Sequence, residues 1–146
     1  MGCIFREVII MALFKKKTIM DHILAAQQGE LDAEYMYNEM AKVVEKDYPE
    51  VAENFRKVAR SERAHYNVCA KITGKTLTKP VPVKAILVSN ILKKNPKLAL
   101  TLVANGEYDA ASDYAPFILE YPQIESVLKD EIRHGNNAKE LIAKYF

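Results

Sequence analysis

Two of the three histidines in this 146-residue chain stand three positions after a glutamate, in Glu62-x-x-His65 and Glu131-x-x-His134. On a helix that spacing puts both side chains on one face, where a carboxylate oxygen and an imidazole nitrogen can close on one cation. Neither pair lies in a polar surface pattern. Val51, Phe55, Val58, Glu62, His65, Cys69 and Ile72 follow three-four spacing, and so do Ile124, Val127, Glu131, His134, Ala138, Leu141 and Tyr145. This is the rhythm of a buried helix face, broken only at the acid and the imidazole. Two more stripes carry one acid each. They are Ile23, Ala26, Glu30, Ala33, Tyr37, Met40 and Val44, and Leu100, Val103, Glu107, Ala110, Tyr114, Phe117 and Tyr121.

Four buried faces therefore bring in four carboxylates and two imidazoles. Carboxylates buried against one another are strongly unfavourable unless positive charge lies between them. Two divalent cations would balance four carboxylates, with neutral histidine nitrogens completing the coordination. This is the inward arrangement of a di-iron or di-manganese four-helix bundle. A metal-free structural bundle would have to bury the same four acids unpaired. The third histidine, His22, lies beside its stripe and is expected at the surface or at a helix start.

The elements that must position these residues form an internal repeat. Gly29-Glu30 is followed by Tyr37 and Gly106-Glu107 by Tyr114, at the same offset, and each segment runs on to a Tyr-Pro turn, Tyr48-Pro49 or Tyr121-Pro122. From Glu30 to Pro49 is 19 residues and from Pro49 to Glu62 is 13; the second half gives 15 and 9. Each arm of the second hairpin is four residues shorter, close to one helical turn, so the acids stay level and inward. The reading is all-α, an antiparallel four-helix bundle of two duplicated helical hairpins. Helices are expected over about 18–46, 49–73, 95–119 and 122–145, with Pro49 and Pro96 in first turns and Gly74 as a stop. The connector, about 74–95, is extended around Pro80 and Pro82 and then forms a short apolar helix from Ala85 to Lys94. Its length lets the second and third bundle helices run parallel.

Composition fits one compact domain over 18–146, with residues 1–17 as an N-terminal extension. The apolar run from Val8 to Phe14 is too short to span a bilayer, so no membrane role is expected. Met1-Gly2-Cys3 resembles a myristoylation start, but Arg6 stands where Ser or Thr is needed. Met11 is a plausible natural start. A net charge of +2, with connector lysines not interleaved with aromatics, gives no sign of nucleic-acid binding. The two cysteines, Cys3 and Cys69, form no disulfide framework, and a reducing, cytoplasmic setting is the simplest expectation.

Gly-Glu-x6-Tyr, then Ala-Lys-Val, then Glu-x-x-His, repeated in the second half, resembles the di-iron domain of rubrerythrins, within the ferritin-like superfamily. The resemblance spans about 18–146. It implies metal ligands at Glu30, Glu62, His65, Glu107, Glu131 and His134. It also implies two bridged iron ions that react with hydrogen peroxide or dioxygen, commonly in a homodimer. Manganese or a mixed pair would suit the same ligand types. Rubrerythrins usually carry another glutamate three residues after the one matched by Glu107; here that position is Ala110, and its repeat partner is Ala33. Their usual rubredoxin domain is not seen, so electrons are expected from a separate rubredoxin-like protein or other reductant. Peroxide reduction is the leading expectation, and a ferroxidase or iron-binding role is the alternative. Tyr37 and Tyr114 are expected to hydrogen-bond ligand carboxylates. Asp130, four residues before His134, is a candidate to hold that ring, and Glu34, one turn from Glu30, is a candidate seventh ligand or an edge residue.

Overall fold

The computed structural model describes residues 17–146, and the expectations placed on the N-terminal extension before Lys17 lie outside them. Five α-helices follow: α1 (Ile19–Val44), α2 (Pro49–Thr73), α3 (Val83–Lys94), α4 (Pro96–Tyr114) and α5 (Ile124–Tyr145), with a 3-10 turn at Ala115–Phe117. No strand occurs among the described residues. Local chemistry sets the ends. Thr18 and Asp21 form a reciprocal capping box at α1. Asn95 accepts from the Leu98 amide to cap α4. Gly74 takes a left-handed φ of 66° to close α2, where a side chain would be strained.

Most boundaries fall within two residues of expectation, and two differences have a clear local cause. α4 stops at Tyr114 rather than near 119, because Pro116 breaks the ladder and tightens the chain into the 3-10 turn. The connector helix starts at Val83, two residues early, directly after Pro82.

α1 packs on α2, α4 on α5, and α2 on α5, while α3 lies against α1 and α4. Helix directions follow from cross-contacts. Glu50 accepts from Tyr145, Asn54 and Asn137 exchange amide hydrogen bonds, and His65 meets Asp130, so α2 and α5 are antiparallel. Tyr37 reaches Glu107 while Tyr114 reaches Glu30, so α1 and α4 are antiparallel too. The second and third bundle helices must then run parallel, as in a ferritin-like bundle, and the long connector makes that possible. Its extended part is stitched down: Tyr66 Oη both accepts from the Leu77 amide at 2.8 Å and donates to its carbonyl at 2.9 Å, and Asp32 accepts from the Val81 amide at 2.7 Å.

The core has two apolar clusters. The larger gathers Met36, Tyr37, Met40, Phe55, Leu92, Leu100 and Leu141; the smaller gathers Ile23, Cys69, Tyr114, Ile124 and Val127. The stripe acids and imidazoles sit between them as a buried polar layer. Each cluster presses one tyrosine onto that layer.

Candidate metal centre

Six polar side chains from four helices meet in this layer: Glu30 (α1), Glu62 and His65 (α2), Glu107 (α4), Glu131 and His134 (α5), all buried. Glu62, His65, Glu131 and His134 each offer an atom within 4.8 Å of the others'. His65 Nδ1 faces Glu131 Oε1 at 2.8 Å, Glu62 Oε2 at 3.2 Å and Glu30 Oε2 at 3.5 Å. His134 Nδ1 faces Glu62 Oε1 at 3.0 Å and Glu107 Oε2 at 3.8 Å. The two rings lie nearly parallel, with centroids 5.5 Å apart and planes at 27°.

These atoms satisfy one another poorly. Nδ1 of His65 has at most one proton for three carboxylates. Glu62 Oε1, Glu131 Oε1 and His134 Nδ1 are buried with no hydrogen-bond partner, although nitrogen and oxygen stand close enough for one. Close approach without alignment means that these polar atoms converge on shared points rather than pair with each other. A buried polar group left in that state is costly, and a cation at the convergence point removes the cost. The residues present therefore fit a dimetal cluster. Glu62 turns its two oxygens to different imidazoles, Oε2 to His65 and Oε1 to His134.

Burial sets the protonation of the ring. It pushes Glu131 up to about 11 and Glu30 up to about 8. Burial opposes the charge on Glu62 too, but the closely facing His134 and His65 imidazoles and Glu30 bring it down to about 2. Burial pulls the imidazoles down, yet Glu107 and Glu62 raise His134 to about 9, and Glu131, Glu30 and Glu62 hold His65 well above the usual histidine range. At neutral pH the metal-free ring keeps protons on Glu30, Glu131 and both histidines.

The tyrosines cross between hairpins. Tyr37 donates to Glu107 Oε1 and Tyr114 donates to Glu30 Oε1. Each terminal acid thus has one oxygen held by a phenol and the other turned to an imidazole. Burial, with Glu107 beside Tyr37 and Glu30 beside Tyr114, keeps both phenols well above their ordinary range, so they stay donors. Cys69 approaches Tyr114 Oη at 3.6 Å, and burial pushes its thiol up to about 11.

One expectation changes in the outer residues. Asp130 does not hold His134; its Oδ2 meets His65 Nε2 at 3.1 Å, across the helix pair, while Oδ1 pairs with Arg133 at 2.7 Å. On one helix Asp130 sits beside His134's turn, but the ring points inward and its far nitrogen faces α2. His134 Nε2 instead meets Ser61 Oγ at 3.1 Å. Ser61 was missed, although the repeat contained the signal, since Ser61 precedes Glu62 as Asp130 precedes Glu131. Glu34 pairs with Arg63 at 2.5 Å and belongs to the bundle edge. His22 is exposed at the start of α1 and stacks on Phe117 with ring centroids 6.0 Å apart.

A cleft of about 690 Å³ opens between α1 and α4 and reaches Glu30, Glu62, Glu107 and Glu131. Small residues line it, Ala26, Gly29 and Ala33 on one wall and Gly106 and Ala110 on the other. The imidazoles do not line it; their outer edges face the α2 and α5 side.

An all-helical bundle with four inward glutamates and two Glu-x-x-His pairs has the architecture of the carboxylate-bridged dimetal proteins. The family model for rubrerythrin matches residues 21–142, and the chain belongs to the rubrerythrin family, a family of di-iron oxidoreductases. It is similar to reverse rubrerythrin-1 of Clostridium acetobutylicum, 27% identical over 134 residues, which cover 89% of this chain and 69% of that protein. No solved structure matches the chain. Among the described residues, no helix is long and apolar enough to cross a membrane.

Proposed function

We propose that the chain is a peroxidase that reduces hydrogen peroxide at a di-iron centre held by Glu30, Glu62, His65, Glu107, Glu131 and His134. The observation that carries this reading is the cleft between α1 and α4, which leads directly to the carboxylate side of a ring whose buried polar atoms lack partners. Two bound ferrous ions would supply the two electrons that, with two protons, turn one peroxide into two waters. The chain's own part is to hold, orient and admit. Tyr37 and Tyr114 fix the terminal acids Glu107 and Glu30 through one oxygen, leaving the other for a metal. Glu62 spans the two imidazoles. Ala33 and Ala110 keep the cleft floor open where a larger side chain would close it.

The domain so built spans 18–146 and acts in the cytoplasm as a homodimer, which would cover the exposed Val83, Ile86 and Leu87 of α3. A separate reductant, rubredoxin-like or small, restores the ferrous state. Iron-loaded protein tests the reading. Two irons per chain, with stopped-flow oxidation of the ferrous form faster by peroxide than by dioxygen, is the expected result. Faster reaction with dioxygen, and iron accumulating beyond two, would instead mark a ferroxidase.

A further inference from the structure

The two halves of the centre are related by the repeat in every inward acid, imidazole and tyrosine, yet differ in what stands behind each imidazole. Behind His65 is a carboxylate, Asp130 Oδ2 at 3.1 Å from Nε2. Behind His134 is a hydroxyl, Ser61 Oγ at 3.1 Å from Nε2; the same oxygen is 3.5 Å from the His65 ring, beyond an ordinary hydrogen bond. With Nδ1 turned to the carboxylate ring, Nε2–H is the donor on both histidines. A charged acceptor draws that proton more strongly than a neutral one and makes the ring a better electron donor at Nδ1. Arg133 takes the other oxygen of Asp130, Oδ1, at 2.7 Å, which leaves Oδ2 to the His65 ring.

We propose that Asp130 and Ser61 are positioning residues that make the two metal positions unequal, the position beside His65 filling first and emptying last. The inference rests on the dimetal reading of the site. It does not depend on which oxidant the centre meets. Both residues lie on the side of the ring away from the cleft, so changing them leaves the entrance intact.

The test uses the metal-free full chain titrated with cobalt(II), followed by calorimetry and by proton NMR of the ring N–H signals that bound cobalt shifts. His65→Ala and His134→Ala variants assign those signals. Two unequal binding steps are expected, with the His65 signal in the first. Asp130→Asn, which keeps the shape and an acceptor but removes the charge, should weaken the first step about 10–100-fold and leave the second in place. Exchanging the pair, Ser61→Asp with Asp130→Ser, should bring the His134 signal in first. Equal steps in the natural chain, or an order unmoved by the exchange, would overturn the inference while leaving the dimetal site standing. Absence of cobalt binding in the natural chain would overturn both.

Discussion

At the residue scale, the centre behaves as a charge problem whose answer is a cation. Without metal it is kept near neutrality by protons, with Glu131 at about 11, Glu30 at about 8 and His134 at about 9. Metal must displace those protons, so affinity should rise with pH through the neutral range, by at least about tenfold per unit below pH 8, since one displaced proton contributes tenfold. Calorimetric titration in two buffers of different ionisation enthalpy counts the protons released; a count of zero would contradict the protonation described. A second prediction concerns the ligands themselves. Changing Glu62 and His65 together to Ala removes two of the six proposed ligands, so metal content should fall from two per chain to none, while the far-ultraviolet circular dichroism stays helical. Two metals retained in that variant would sink the ligand assignment.

At the element scale, α4 packs on α5 beside the site with the Tyr108 ring over Gly135. An added methyl on Gly135 would meet the Tyr108 ring at 2.7 Å, and Tyr108 also donates to Asn136 at 2.6 Å. Gly to Ala inside a helix ordinarily stabilises by about 1 kcal/mol. Here overpacking should reverse the sign, so Gly135→Ala is expected to lower stability by about 1–3 kcal/mol in urea unfolding. The helices were largely readable beforehand, because apolar periodicity, Pro at first turns and Gly74 are local signals. The early stop of α4 at Tyr114 was not, since the stripe continues through Phe117 and Tyr121 while Pro116 ends the hydrogen-bond ladder. The inward set of six could be listed from phase and repeat. Phase says which way a side chain points but not what faces it, so the crossing of Tyr37 to Glu107, of Tyr114 to Glu30 and of Asp130 to His65 lay beyond one-dimensional reading. Ser61 went unnoticed because a small hydroxyl at a stripe's edge is ordinary on any helix.

At the scale of the whole molecule, two apolar clusters clamp one polar layer, and the connector with α3 straps the first hairpin to the second. The layer has two unlike sides. The cleft between α1 and α4 meets carboxylates only, whereas the imidazole edges look toward α2 and α5, where Asp130 is partly exposed. For the proposed peroxidase, which would take electrons from one molecule and give them to another, this would amount to separate terminals. If the proposed peroxidase reading holds, oxidant and reductant would not queue for one doorway, so saturation by either would leave the other's access untouched and turnover would be set by the slower supply rather than by competition for a surface.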